Sequence, residues 1–204
     1  MNIPRVTEVL QVFTLPAILK WQQRIGEEMA EEIREEALGL GTKVDGYVMS
    51  LITGEDVVFP EDENRMVVRA VQKFEKEWLP HIEDALVQVT GTHPNPPYTG
   101  TADLLCVLGG EKWLIDIKVA KEVRPTYVIQ LSAYSQLDTI EKWKPNRFGI
   151  LLFSKKGGFW ELVEVFPDET HFDLFLSALK VYQYIVDSEG AGAFQTLIRR
   201  TNNA

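Results

Sequence analysis

YTGTADLLCVLGGEKWLIDIK, running from Tyr98 to Lys118, is the stretch on which the fold of this chain turns. An apolar run from Thr101 to Leu108 meets Gly109-Gly110 and returns as Lys112 to Lys118. Paired glycines adopt the positive φ that a two-residue hairpin turn requires, so the two runs read as antiparallel neighbours. In the returning run Trp113, Ile115 and Ile117 alternate with Leu114 and Asp116. One position separates Asp116 from Lys118, which puts both side chains on one face of the strand. Asp103 and Asp116 flank the turn at comparable distances, so they can approach each other near the open end of the hairpin.

Outward from this hairpin, Ala85 to Val89 is short and valine-rich and predicts a strand, and His93 to Tyr98 reads as a proline-rich turn. Pro125 to Ile140 predicts a helix with proline in its first turn. Phe148 to Ser154 and Phe159 to Phe166 predict two more strands around Gly157-Gly158, and Thr170 to Val186 a helix. A short further turn is expected over Phe194 to Arg199. Upstream, residues 15–38 predict one or two helices. Their Glu27, Glu28, Glu31, Glu32, Glu35 and Glu36 form a solvated face, and Ile25, Met29, Ile33 and Ala37 an apolar one. Gly39 and Gly41 are expected to break that helix, and Thr42 to cap a second one reaching Ile52 and ended by Gly54. A third helix is expected from Glu61 to His81. Helices, three strands, a helix, two strands and a helix make one α/β domain over 1–204. Its 1–84 part is mostly helical, and 85–187 forms an α/β core around a mixed central sheet of about five helix-flanked strands. There is no internal repeat, low-complexity segment or linker.

Composition is that of an ordinary soluble domain, with 45% hydrophobic and 25% charged residues among 204. No apolar run is long enough for a membrane span. Met1 to Lys20 lacks a basic start followed by a long apolar stretch, so no secretory leader is expected. With Cys106 as the single cysteine, a reducing cytoplasm is the expected compartment. The formal net charge of -9 argues against coating nucleic acid through bulk charge. The basic residues are unevenly spread, however. Lys112, Lys118, Lys121, Arg124, Lys142, Lys144, Arg147, Lys155 and Lys156 crowd a segment holding only Asp116, Glu122, Asp138 and Glu141 as acids. Lys121 and Arg124 follow the Asp116 strand directly and are the expected phosphate contacts. Trp143, Phe159 and Trp160 could stack on a base, although core packing explains them as well.

Two carboxylates and a lysine at the end of an apolar sheet repel or desolvate one another unless something compensates. A divalent cation does so. Oxygen ligands suit magnesium or manganese, which keep waters and leave room for phosphate oxygens. The expected reaction at such a site is phosphodiester hydrolysis, with Lys118 orienting or deprotonating water or stabilising the transition state. Asp-x-Lys alone would be an exposed ion pair. The following helix raises it above that, because Gln130 and Tyr134 are spaced i, i+4 with Ala133 and Leu137, and core packing does not explain a glutamine in that stripe. His81, His93 and His171 have no zinc-like spacing, and no phosphate-binding glycine loop of a nucleotide-cofactor fold is present.

The series Tyr98 to Asp103, Trp113 to Lys118 and Gln130 to Tyr134 resembles the RecB-type branch of the PD-(D/E)xK nucleases. In that branch a Gly-x-x-Asp strand, an Asp-x-Lys strand and a Gln-x-x-x-Tyr helix occur in this order. The resemblance is specific from Tyr98 to Leu137 and weaker over Val6 to Gly54, where Gly41-Thr42-Lys43-Val44 is similar to a stretch opening an N-terminal helix. It implies a restriction-endonuclease-like core and a Mg2+- or Mn2+-dependent DNA exonuclease of recombination, repair or phage DNA metabolism. Asp103, Asp116 and the Ile117 carbonyl would bind metal, Lys118 would act on water, and Gln130 and Tyr134 would position the site and the DNA. DNA is the implied partner, with no membrane and no nucleotide cofactor; a homo-oligomer or a recombination protein partner is compatible with it. Where the branch often has a metal-binding histidine, this chain has Asp45, which could be a ligand or a capping-box partner of Thr42. Gln88 stands where a glutamate often precedes the Gly-x-x-Asp strand. A catalytically silent DNA-binding module of the same fold and a structure-specific endonuclease are the alternatives.

Overall fold

A computed structural model describes residues 3–60, 63–154 and 156–189. The expected turn over Phe194 to Arg199 lies outside the described residues. Helices α1 (Val6–Val9), α2 (Gln11–Ile25), α3 (Glu27–Thr53) and α4 (Arg65–Glu77) precede the sheet, and a single 3-10 turn over Leu79–His81 leads into it. Then come β1 (Ile82–Pro94), β2 (Pro97–Leu108), β3 (Glu111–Val119), α5 (Pro125–Ser135), α6 (Asp138–Trp143), β4 (Arg147–Phe153), β5 (Trp160–Val165) and α7 (Glu169–Glu189). The strands form one sheet in sequence order. It is mixed, because β3 and β4 are parallel and the other neighbours antiparallel. The chain is thus an α/β fold with a five-stranded, helix-flanked sheet and an N-terminal helical region. Among the described residues no helix is long and apolar enough to cross a membrane.

The hairpin forms as its glycines dictate. Gly109 and Gly110 have φ 61° and 80°, and Leu108 pairs with Glu111 across them. Two apolar cores cover the sheet. One joins Leu105, Leu114, Ile150 and Leu152 to α1, α5 and α7 through Val6, Val9, Leu131 and Phe175. The other joins Leu104, Cys106, Ile115, Ile117 and Phe153 to α3 and α4 through Val44, Val48, Val67 and Phe74. Asn64 starts α4, its side-chain oxygen accepting the Met66 and Val67 N–H groups at 2.9 and 3.4 Å. Pro80 stops the expected longer helix, since proline cannot supply the next backbone donor.

Several expectations fail. Gly39 and Gly41 do not break the N-terminal helix; α3 runs through both to Gly54, which closes it with φ 79°. Each interior glycine costs about 1 kcal/mol relative to alanine, less than the burial of Val44, Val48 and Leu51 on the next two turns contributes. Thr42 is therefore no cap: its hydroxyl donates to the Leu38 carbonyl at 3.1 Å, inside the helix. The apolar stripe expected upstream is only partly buried, for Ala30 is covered while Met29 and Ile33 are exposed.

The helix expected over Pro125 to Ile140 is two helices. Leu137 turns extended, and Asp138 Oδ1 accepts the Thr92 N–H of β1 at 2.8 Å as well as the Thr139 N–H at 2.9 Å. The Thr139 hydroxyl donates to the Thr90 carbonyl at 3.0 Å. The break between helices thus satisfies polar groups along the outer edge of β1, which would otherwise be open to pairing with another chain. Gly91 permits this approach, since a Cβ there would lie 2.3 Å from Thr139 Oγ1. Finally, β1 is longer than its valine-rich centre. Its register shifts between Glu83 and Leu86, Asp84 and Gln88 have positive φ, and half its side chains face solvent, which weakens the apolar pattern.

Candidate active site

The ladder between β2 and β3 ends at Leu104 opposite Ile115. Asp103 and Asp116 are the next residues on either strand. There β3 stays paired with β4, and its Ile117 N–H donates to the Asp103 carboxylate at 2.8 Å in place of a β2 carbonyl. A side chain closes the fork between two diverging strands, which fixes Asp103 beside Asp116. Gln88 of β1 donates its amide to the other Asp103 oxygen at 3.4 Å, a long contact.

Asp116 is buried, 1% exposed. Its Oδ1 accepts from Gln130 Nε2 at 2.9 Å, and the same nitrogen lies 2.9 Å from the Tyr134 hydroxyl. The glutamine in the α5 stripe is therefore bonded to the strand acid, while the Tyr134 ring packs on Gly100. A Cβ at Gly100 would lie 2.7 Å from Tyr134 Cε1, so this position accommodates only glycine while the ring stays where it is. The buried Tyr98 hydroxyl, two residues along β2, donates to the Ala133 carbonyl at 3.0 Å and fixes α5 against β2.

Lys118 pairs with Asp116 Oδ2 and also donates to the Ile117 carbonyl at 3.2 Å. Its ammonium lies 5.5 Å from the centre of the Tyr127 ring. Burial alone would lower the Lys118 pKa, but Asp116, Asp103 and Asp45 outweigh it and the net shift is upward, so the group is an ammonium. Asp116 shifts upward, first through burial, with Lys118 opposing and Asp103 adding. Burial and Asp103 also push the Asp45 carboxyl up to about 7 against the pull of Lys118. Asp45 is interior to α3, whose buried Val44 and Val48 turn it toward the sheet, so the capping-box reading of Asp45 is excluded.

Asp45, Asp103, Asp116, Lys118, Gln130, Tyr134 and Gly100 line one cavity of about 420 Å³, together with Arg5, Val6, Thr7, Thr90, Thr99 and Thr101. The donor set fits a hard divalent cation. Asp116 Oδ2 has no hydrogen-bond partner of good geometry among the described residues, and the one cation touching it, the Lys118 ammonium, also touches the Ile117 carbonyl. Two oxygens thus converge on a positive charge already, with Asp103 adjoining. Among the described residues no three His, Cys, Asp or Glu side chains come close enough to hold an ion by themselves. Magnesium suits such a sparse set because it keeps several of its waters.

Asp103, Asp116, Lys118, Gln130, Tyr134 and Asp45, scattered over β2, β3, α5 and α3, are brought together. Lys121 and Arg124 are not: both are exposed beyond the end of β3, and neither lines the cavity. Among the described residues of the basic segment only Lys118 lines the cavity. Arg147 pairs with Glu164 at 2.7 Å and Lys112 lies over Trp143, while Lys155 is outside the described residues. Trp160 packs, partly buried, on the core of Phe74 and Trp78, and Trp143, partly buried, on the opposite core, leaving Phe159 exposed. Arg5 was not singled out from the sequence. A lone arginine before a four-residue helix carries no pattern, and its place depends on the bridge between Arg5 and Thr99.

No protein-family model and no curated protein matches this chain. Among solved structures, an Eubacterium rectale protein with the provisional name of exonuclease is 13% identical, with 82% of this chain and 67% of that one covered and a TM-score of 0.45. That likeness is too weak to carry a conclusion. The crystal structure of SSO0001 is 12% identical, with 90% of this chain and 76% of that chain covered and a TM-score of 0.52, and what the two share is the fold.

Proposed function

We propose that this protein is a divalent-metal-dependent deoxyribonuclease of the RecB-like PD-(D/E)xK type, hydrolysing phosphodiester bonds at DNA ends in recombination, repair or phage DNA metabolism. The observation that carries the reading is the convergence of Asp116 Oδ2 and the Ile117 carbonyl on one positive charge, beside Asp103, in an open polar cavity. Asp103, Asp116 and the Ile117 carbonyl would hold the ion, with Asp45 across the cavity as a further oxygen donor. A bound Mg2+ or Mn2+ supplies charge neutralisation at the phosphate and a more acidic water.

The chain's own groups do the rest. The Ile117 N–H holds Asp103, and Gln130 holds Asp116 while Tyr134 holds Gln130, so both acids keep one orientation. With an ion held by Asp103, Asp116 and the Ile117 carbonyl, the Lys118 ammonium would be placed to donate a hydrogen bond to the attacking water or to a phosphate oxygen as charge builds there. Degradation of fluorescent linear DNA under magnesium or manganese is expected, with none in EDTA and none from Asp116→Ala or Lys118→Ala. Covalently closed circles should survive; if they are cut, the enzyme is an endonuclease.

A second reading, a catalytically silent DNA-binding module, is favoured by one feature. Gln88, an amide, contacts Asp103, and no third carboxylate completes a close cluster among the described residues. Tight binding of DNA by the wild-type protein with no cleavage under manganese would establish it.

A further inference from the structure

We infer that Arg5, with the threonine hydroxyls beside it, binds a backbone phosphate of the DNA strand next to the one held at Asp103, Asp116 and Lys118. The inference rests on the nuclease reading and supplies a DNA anchor inside the cavity, which Lys121 and Arg124 do not line.

Arg5 lines the same cavity as the acids. Its backbone is fixed rather than loose: Thr99 N–H donates to the Pro4 carbonyl at 2.9 Å, Arg5 bridges Thr99 in parallel, and Val6 and Val9 are wholly buried behind it. The Arg5 N–H donates to the Glu8 carboxylate at 2.9 Å, yet the guanidinium makes no ion pair among the described residues. An exposed guanidinium in that position keeps its donors for a ligand, and its planar fork matches phosphate oxygens.

The adjoining wall is built of hydroxyls. Thr90 and Thr101 share one hydrogen bond of 2.9 Å, so one of their two protons remains to donate outward. Thr99 donates to the Gly91 carbonyl at 2.8 Å, and Thr7 stands beside Arg5 on the rim. Donors without acidic partners suit an anion; Arg5, Thr7 and Thr90 come from the N-terminal segment and β1, which carry none of the cavity's acids, while Thr99 and Thr101 share β2 with Asp103, and Asp45 and Asp116 stand on α3 and β3. One cavity thus offers two kinds of ligand group: carboxylates for a cation, and the Arg5 fork with the threonine hydroxyls for an anion. A strand whose scissile phosphate meets the first places a neighbouring phosphate near the second.

The second, smaller cavity strengthens the placement. It holds about 160 Å³, shares Thr7 and Gln130 with the first, and is lined by Leu10, Thr126 and the Tyr127 ring. The open space therefore continues past Thr7 and Gln130, as a strand longer than one nucleotide requires.

The test uses the full chain and a short fluorescein-labelled DNA single strand, in calcium for binding and in manganese for cleavage. Arg5→Gln should weaken binding roughly tenfold or more, the usual scale for a lost charged hydrogen bond. It should reduce the slope of log affinity against log salt by about 0.7, the share of one single-strand phosphate. In cleavage the loss should fall on KM, with kcat little changed, and Arg5→Lys should restore part of it. Replacing phosphates singly by neutral methylphosphonates should weaken the wild type at one position where Arg5→Gln is indifferent. Cleavage by both proteins with equal KM and equal salt slope would overturn the Arg5 assignment and leave the nuclease reading standing. Binding that depends on Arg5 without any cleavage would keep the anchor and reject the nuclease. Absence of both binding and cleavage would reject both.

Discussion

Replacing Asp45 by asparagine should make the metal-free protein more stable at pH 8, although it removes a charged group facing Lys118. In the folded chain the Asp45 carboxyl is raised from 3.8 to about 7, first by burial and then by Asp103. A raised folded pKa contributes stability that is complete below the unfolded value and is lost as pH rises through the folded one. Asp45 therefore penalises the folded state from about pH 4 upward, and fully above pH 7. That rise corresponds to at most about 4 kcal/mol, and the partial opening of Asp45 to the cavity reduces the expected effect to about 2 kcal/mol. Urea unfolding in EDTA at pH 5 and pH 8 measures it. The wild type should lose stability over that interval, and Asp45→Asn should lose markedly less. Added manganese should stabilise the wild type more at pH 8 than at pH 5, because the ionised acids bind it. If Asp45→Asn is no more stable than the wild type at pH 8 in EDTA, or falls equally with pH, the electrostatic reading of the cavity is wrong.

Other consequences are simpler to check. Gly100→Ala places a methyl 2.7 Å from the Tyr134 ring and should cost about 1–3 kcal/mol by thermal denaturation. It should also depress nuclease activity, because Gln130 loses its partner and Asp116 its orientation. Gly39→Ala and Gly41→Ala meet open space inside a continuous helix and should each stabilise by about 0.5–1 kcal/mol; destabilisation would mean that α3 breaks there after all. Lys118→Met, which removes the cation from between Asp116 and Ile117, should lower metal-free stability by about 3 kcal/mol or more at pH 8, and manganese should recover much of that loss. A Lys118→Met protein as stable as wild type in EDTA at that pH would contradict the ion pair.

The hairpin and its acids could be read from local chemistry. Paired glycines permit one kind of turn, and alternation over β3 sets which residues face together, so the nearness of Asp103, Asp116 and Lys118 followed from spacing. Gln130 stood out because an amide in an apolar helical stripe needs a buried partner, which proved to be Asp116. Other features depend on long-range packing. The continuation of α3 through two glycines is set by Val44 and Val48 against the sheet, and it alone moves Asp45 from a cap to the cavity wall. The interruption after α5 is set by Asp138 and Thr139 bonding to β1. Arg5, nearly a hundred residues from its neighbour Thr99, enters through one β-bridge. Periodicity and turn chemistry act over a few residues and are legible in order along the chain. The composition of a cavity depends on which distant segments share an apolar core, and that is settled by the packing energy of the whole fold.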